Sequence, residues 1–404
     1  MYIDFSSPWV LIALVLIGWS VLIALHKRGL LPHNLEVSGP MLLWRTDHGK
    51  GAMASIAHKF RPFWRRLGIL CIGVATATMI FTAVLMVTQA ILIVRYPQLI
   101  QETGAREAII FPGLALPITY GLVALIIAII VHEFSHGILS EAEDIKIKSL
   151  GLAVLAIIPA AFVEPDEEEV KNATAKSRMK MFSAGPTANI LVFMISLLVF
   201  TYMLLPFFAP SAEGVGIAEI IEGFPAKEAG MTKGEIITHV DEIRVKGIED
   251  FQEEMMKHRP GEVISIQTNK GVYTIELRSN PDVPSKAFSG VRLFPVTEYY
   301  DGLRHPIALI IPQVGAMLPL LGFYAPHDVM LTVLQLVFWI GLANFWLGAI
   351  NLLPAKPFDG GRLMEEYVRA VAKRDVERIS NVISALFISL YVGSFLAIVL
   401  YGGF

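Results

Sequence analysis

The chain has 404 residues, 54% hydrophobic and 17% charged, with a formal net charge of −3 and a mean hydropathy of +0.58. That composition is too apolar for an ordinary soluble domain, and the balanced charge gives no sign of a nucleic-acid partner. A single cysteine, Cys71, excludes a disulfide framework and a thiolate-rich zinc site.

The apolar residues come in long runs, and the pattern predicts a polytopic α-helical membrane protein with about six transmembrane helices. Pro8–Leu25 is the first run. No basic residue precedes it and no small-residue cleavage site follows it, so it reads as an anchor rather than a signal peptide. The loop from His26 to Leu67 carries eight Lys and Arg against only Glu36 and Asp47, which predicts a cytoplasmic location. His26, His33, His48 and His58 in that loop read as solvated surface. Leu67–Val94 is the second span, and Arg95–Glu107, with few positive charges, is expected outside.

The third span lies in Ala108–Ser140 and carries His132, Glu133 and His136 near its C-terminal end. On a helix, His132 and His136 share one face. With Glu133 between them they form H-E-x-x-H, two imidazoles for one Zn²⁺ and a carboxylate to take a proton from water. A helix leaving the membrane near Glu141 puts His132 roughly 13 Å deep at 1.5 Å per residue.

Asp144–Pro165 is apolar but too broken for a span, and its Ile-Lys-Ile-Lys alternation predicts a β-hairpin entering from the cytoplasmic side, shielded by its neighbours. Glu164–Lys180 is charged and expected to be cytoplasmic, so the Asn172-Ala173-Thr174 sequon reads as chance. Met181–Phe208 is the fourth span, with a small and polar stripe of Gly185, Pro186, Asn189 and Ser196. Ala212 to about Arg278 changes character to glycine, charge and short alternating runs, a small soluble domain expected outside. Pro306–Pro326 is cut by Pro312, Gly315, Pro319 and Gly322. Counting it as a span would put Lys356–Arg378, with six Lys and Arg, outside, so it reads as interfacial or re-entrant. Val329–Leu353 is the fifth span, with Gly341, Asn344, Gly348 and Asn351 on one stripe, and Ile379–Leu400 the sixth.

A catalytic zinc takes three protein ligands and keeps one position open. Asp359 is the candidate third ligand. Pro354 and Pro357 force extended backbone before it, and Gly360-Gly361 after it permit a tight turn. The residues alone leave a second reading open, in which Asp359 caps the helix Gly360–Arg374.

HEFSH in one span and NLLPAKPFDGG at the end of a later one resemble the site-2 protease family of intramembrane zinc metalloproteases. Gly185-Pro186-Thr187-Ala188-Asn189 is similar to that family's intermediate motif, and the resemblance covers about Ile110 to Phe404. It implies His132, His136 and Asp359 as ligands of one Zn²⁺, Glu133 as general base, and Asn189 as a group that holds substrate backbone or stabilises the oxyanion. It also implies that the Asp144–Val163 hairpin is a membrane-re-entrant sheet, and that Pro8–Leu25 and Leu67–Val94 are additions to a four-span core.

The inserted stretch resembles a PDZ domain, an α+β fold, with Gly214-Val215-Gly216-Ile217 like the loop that receives a peptide carboxylate. Phe224-Pro225-Ala226, Ala229-Gly230-Met231 and Gly234-Glu235-Ile236-Ile237 look like the following turn and strand. Peptide binding beside that strand and a rigid size filter both fit. The expected organisation is 1–107 for two N-terminal spans and their basic loop, and 108–211 for the first part of the catalytic core. The PDZ-like domain follows at 212–296, and the rest of the core at 297–404.

The function these readings imply is regulated intramembrane proteolysis. The expected partners are transmembrane protein substrates, the lipid bilayer and a peptide ligand of the PDZ-like domain. The expected location is a prokaryotic cytoplasmic membrane, with the PDZ-like domain on the extracytoplasmic side. A helical substrate hides its carbonyls, so its scissile segment must unwind, and an edge strand in Asp144–Val163 is the expected holder of the unwound segment. A transporter would also bury His, Glu and Asp, and a catalytically silent scaffold could use the PDZ-like domain. Neither explains the metalloprotease spacing together with the second motif.

Overall fold

The structure, a computed structural model, describes residues 8–38, 41–96, 118–155, 158–281, 283–321, 328–372 and 374–401. Five described helices are long and apolar enough to cross a membrane: Arg61–Arg95, Thr119–Ala142, Ala175–Phe208, Asp328–Asn351 and Val376–Ala397. An apolar run of this length can satisfy its backbone in lipid only by closing its own hydrogen bonds. The N-terminal helix α1 (Pro8–Lys27) is apolar as well, and its described apolar part, Val15–Lys27, is shorter than a span. Most of the connection expected at Arg95–Glu107 lies outside the described residues.

Packing divides the chain into two units, Met1–Ile109 with Leu122–Val192 and Ala343–Phe404, and Ile110–Gly121 with Phe193–Leu342. In the first unit, strands β1 (Leu35–Ser38) and β2 (Met41–Thr46) precede helices α2 (Lys50–Lys59) and α3 (Arg61–Arg95). Helix α4 (Ile118–Ala142) carries the H-E-x-x-H motif and leads to β3 (Ile147–Leu155) and β4 (Ile158–Pro165). The expected hairpin is therefore present, but it is half of a larger sheet. The order is β1-β2-β3-β4, all antiparallel, with Met41 opposite Leu155 and Thr46 opposite Leu150. Two strands thus come from the loop read as plain basic surface. The alternation of β2 is hidden in Met-Leu-Leu-Trp, and only pairing with β3 reveals it.

A short helix α5 (Glu167–Asn172) follows, its first N–H groups capped by the Asp166 carboxylate, which accepts from Glu168 N and Glu169 N at 3.0 and 3.1 Å. Helix α6 (Ala175–Leu198) then continues through a π turn (Val199–Leu204) into a 3₁₀ turn (Leu205–Phe208).

The second unit holds a six-stranded sheet. In chain order it contains β5 (Val215–Ile220), the turn helix α7 (Pro225–Glu228), β6 (Ile236–Val240), β7 (Ile243–Arg244) and α8 (Ile248–Met255). Strands β8 (Val263–Thr268), β9 (Val272–Glu276), β10 (Arg278–Ser279), β11 (Ala287–Phe288) and β12 (Val291–Phe294) complete it. The order is β12-β5-β6-β8-β9, with β7 on β6 and β10-β11 as a separate ladder. Alternating strand residues such as Ile264 and Ile266 meet Phe251 and Met255 of α8 in one apolar core.

The sheet corrects one reading. Over Gly214–Ile217, β5 is paired on both sides, by β12 and β6, and the Thr297 hydroxyl engages both the N–H and the carbonyl of Gly214. That stretch has no free edge for a peptide. The edges of the sheet are β12 and β9, each with one partner among the described residues, and β12 is the edge beside α8 and the Gly290 turn.

After β12 come α9 (Val296–Leu303), a 3₁₀ turn (Pro306–Ile310), α10 (Pro312–Met317) and another turn (Leu318–Leu320). The stretch expected to be interfacial is thus a series of short helices broken at its prolines, and 322–327 lie outside the described residues. Helix α11 (Asp328–Asn351) is the most enclosed of the long helices, with 56% of its apolar window buried against 17–28% for the others. Helices α12 (Asp359–Val371) and α13 (Val376–Tyr401) end the chain.

Candidate metal centre

His132 and His136 lie four residues apart on α4, and their ring centroids are 4.7 Å apart. Each ring uses Nδ1 outward: His132 Nδ1 donates to Asn189 Oδ1 at 2.8 Å, and His136 Nδ1 donates to the Met181 carbonyl at 2.7 Å. With Nδ1 carrying the proton in both rings, each Nε2 is left as a bare lone pair pointing inward. The two Nε2 atoms are 3.1 Å apart.

Asp359 completes the triangle. Its Oδ2 lies 3.2 Å from His132 Nε2 and 3.1 Å from His136 Nε2. Asp359 is the first residue of α12, the N-cap is Phe358, and no side chain caps that helix, so the cap reading lacks its hydrogen bond. His132 is 5% exposed, and three such ligating atoms brought together in an apolar interior could share one cation.

The donor set fits zinc. Bonds of about 2.0–2.1 Å in a tetrahedron require ligand atoms about 3.3 Å apart, close to the three edges of 3.1–3.2 Å here.

Asn189 is fully buried, and its amide is spent inside the protein. Besides accepting from His132, it donates from Nδ2 to the Ala128 carbonyl at 3.0 Å and to Asn344 Oδ1 at 2.9 Å. Both amide hydrogens are used, and the side chain stands behind His132. Gly185 explains the close approach of α6 to the site. A Cβ there would lie 2.6 Å from His136 Cδ2 and 2.9 Å from His132 Cδ2.

Glu133 faces the sheet. Its Oε2 accepts the Val163 N–H at 2.9 Å. Val163 sits opposite Leu150 in the β3–β4 ladder but gives its N–H to Glu133, so that side of β4 is the open edge. His132, Glu133, His136, Asp359, Asn351 and Val163 are among the walls of a cavity of about 280 Å³. The sequence offered no sign of the Val163, Met181 and Asn344 contacts, all of which come from other elements. Gly185-Pro186 was the one visible hint of a close helix approach.

A model of peptidase family M50 matches residues 120–393, more than half of the chain. The chain belongs to peptidase family M50, the site-2 proteases. It is similar to the uncharacterized protein MJ0971 of Methanocaldococcus jannaschii, 27% identical over 386 residues, 95% of this chain and 91% of that one. It is also 27% identical over 238 residues to the zinc metalloprotease RasP of Shouchella clausii, covering 51% of this chain and 54% of RasP. The metalloprotease MmpA of Caulobacter vibrioides is 25% identical over 239 residues, 47% of this chain and 59% of MmpA. The chain thus spans little more than half the length of these two metalloproteases. M50 is a family of membrane metalloproteases, and membership in it implies a metal.

Proposed function

We propose that this chain is an intramembrane zinc endopeptidase that cuts peptide bonds in or beside transmembrane segments of membrane proteins, in regulated intramembrane proteolysis. The observation that carries the reading is the His132–His136–Asp359 triangle beside Glu133 on an apolar helix. His132, His136 and Asp359 would hold the ion, which when bound supplies a Lewis acid for the scissile carbonyl and the attacking water.

Glu133 takes the proton of the attacking water at a carboxylate oxygen and passes it to the nitrogen of the leaving amine. The Val163 N–H holds the other oxygen and fixes the carboxylate's direction. Asn189 acts as a positioning residue that fixes the His132 tautomer, in place of the substrate or oxyanion role expected from the sequence. Substrate backbone lies along the open edge of β4. Backbone groups alternate, so Ala161 shares the outward side with Val163, while Pro159 and Pro165 present no N–H there. Pairing is therefore confined to the middle of the strand, next to Glu133. This suits a short unwound segment, whose lost helical bonds the edge replaces.

The loop charges orient the chain with His26–Leu67 and Lys356–Arg378 in the cytoplasm and the inserted domain outside. That domain is PDZ-like, and its peptide site lies between α8 and β12. A cavity of about 720 Å³ opens there, lined by Phe251, Met255, Met256, Val291 and Leu293. Gly290, with φ of +89°, turns the chain into β12 and leaves no room for a Cβ beside Phe224.

The test uses purified protein in liposomes with a model single-span substrate, cleavage mapped by mass spectrometry and zinc measured. The expected result is that Glu133→Gln keeps zinc and loses cleavage by about 10²–10⁴-fold, and that Asp359→Ala loses zinc. Wild type without zinc and without cleavage would leave the silent-scaffold reading, and Glu133→Gln cutting as well as wild type would refute the peptidase reading for this site.

A further inference from the structure

A second cavity, of about 480 Å³, adjoins the pocket around the three ligands. Val163, Pro165, Met181, Phe182 and Arg362 line both, so the two adjoin along these residues. The larger cavity has an apolar wall built by Leu43, Phe162, Val170 and Phe182 from β2, β4, α5 and α6. Two of its cations are already committed. Arg45 pairs with Glu164 and with Glu36, and Lys171 lies 3.8 Å from Glu167 one helical turn away.

Arg362 differs from both. It stands at the junction of the two cavities, three residues after Asp359 and so on the same face of α12 one turn along. Its side chain is exposed to the cavities, and among the described residues no ion pair includes it. Its guanidinium carbon lies 5.6 Å from the centroid of the Phe182 ring. Stacking of this kind orients the plane of the group and leaves its N–H edge free, the geometry that a carboxylate fits with two parallel hydrogen bonds. An uncommitted guanidinium beside an apolar wall, opening directly onto the reactive centre, is a recognition feature. A merely solvated arginine has no need of that ring or that junction.

We propose that Arg362 is a specificity residue that binds a carboxylate of the substrate, and that the larger cavity receives the substrate residues on one side of the cut. The inference rests on the peptidase reading above. The carboxylate has two sources, an acidic side chain near the scissile bond or the α-carboxylate that hydrolysis creates.

The experiment takes full-length protein in liposomes and a model single-span substrate in which one Glu, or a Gln control, is moved through successive positions on the cytoplasmic side of the cut. A second arm adds the N-terminal cleavage product as the free acid or as its C-terminal amide and measures inhibition. If the source is a side chain, wild type prefers Glu over Gln at one position by about tenfold in KM. If it is the α-carboxylate, no position matters, and the free acid inhibits about tenfold better than the amide. In either case Arg362→Gln erases the difference, Arg362→Lys restores part of it, and zinc content and cleavage of the all-Gln substrate stay within about twofold of wild type. The proposal is overturned if Arg362→Gln preserves both ratios, or if it slows acidic and neutral substrates equally. Should wild type carry no zinc or fail to cut any substrate, the peptidase reading itself fails and this inference falls with it. Cutting by wild type, abolished by Glu133→Gln and indifferent to Arg362→Gln, removes only the inference.

Discussion

Replacing Asn189 separates two roles that the sequence could not distinguish. The side chain makes three hydrogen bonds of 2.8 to 3.0 Å at a fully buried position. Truncation in Asn189→Ala strands the His132 Nδ1–H and removes a donor from Asn344. At about 1–3 kcal/mol for each buried group left unsatisfied, the expected loss of stability is about 2–5 kcal/mol. His132 also loses the contact that fixes its tautomer and ring plane, which typically costs 10–100-fold in metal affinity. Asn189→Asp keeps an acceptor for His132 and discards both donors, so it should lose stability yet hold zinc within a few-fold of wild type. The assay is zinc competition against chelators of graded affinity in detergent, with thermal unfolding measured in parallel and cleavage at saturating zinc. A group that touches substrate would behave oppositely, with normal zinc affinity and a depressed kcat. Wild-type zinc affinity in Asn189→Ala would refute the positioning role.

Three further outcomes follow from particular contacts. Ala161→Pro removes the outward N–H of β4 that remains beside Val163 and should raise KM about 2–10-fold with little change in melting, whereas Ala160→Pro, which faces β3, should destabilise the sheet; equal cleavage by Ala161→Pro would end the edge-strand idea. Gly185→Ala should improve helix propensity by about 1 kcal/mol yet weaken zinc binding at least tenfold, because its Cβ enters the space of both histidine rings; chelator competition reads this directly. Burial of Glu235 alone would raise its carboxyl pKa, but hydrogen bonds from Thr232, Thr268 and Tyr273 outweigh that and hold it below the usual glutamate range. Its contribution is therefore present above the unfolded value of about 4.3 and lost as pH falls through the lower folded value. Hydrogen exchange of β6 and β8 below pH 4 should accelerate in wild type, and Glu235→Gln should flatten that dependence.

What the sequence revealed and what it concealed divide along a physical line. Long apolar runs declare their helices because lipid allows few alternatives, and α3, α4, α6, α11 and α13 were all legible. The H-E-x-x-H spacing and Asp359 were legible because metal chemistry restricts both residue type and position. Strands β1 and β2 were not, since their pattern is short and their partner β3 lies about a hundred residues away. The inserted domain was misread at one point for a related reason. Gly214-Val215-Gly216-Ile217 and Phe288-Ser289-Gly290-Val291 are both glycine-containing strand entrances, and only the sheet order shows which one has an open edge. Asn189 was found as a residue, and the positioning role proposed above was not legible, because the direction of an amide depends on Ala128 and Asn344, which no spacing rule connects to it.

The placement of the site along α4 follows from how that helix ends. Its last carbonyls have no helical donors of their own, and the Ala142 carbonyl receives Arg61 Nε at 3.1 Å and Arg65 Nε at 2.9 Å, both from the start of α3. Cations at a helix C-terminus also interact favourably with the negative end of its dipole. Immediately beyond, Glu143 accepts from Lys180 Nζ at 2.6 Å and from Ser177 Oγ at 2.7 Å, tying α4 to α6. The Lys180–Glu143 side chains are 8% and 6% exposed, and a pair so buried is better understood as fixing position than as adding stability. Charges of this density belong at or outside the membrane boundary. His132 lies ten residues before Ala142, about 15 Å along the helix. The same anchors therefore fix α4 against the start of α3 and against α6. They also hold the open edge of β4, bound to Glu133 through Val163, at one level along α4, which is what the proposed pairing with an unwound substrate requires.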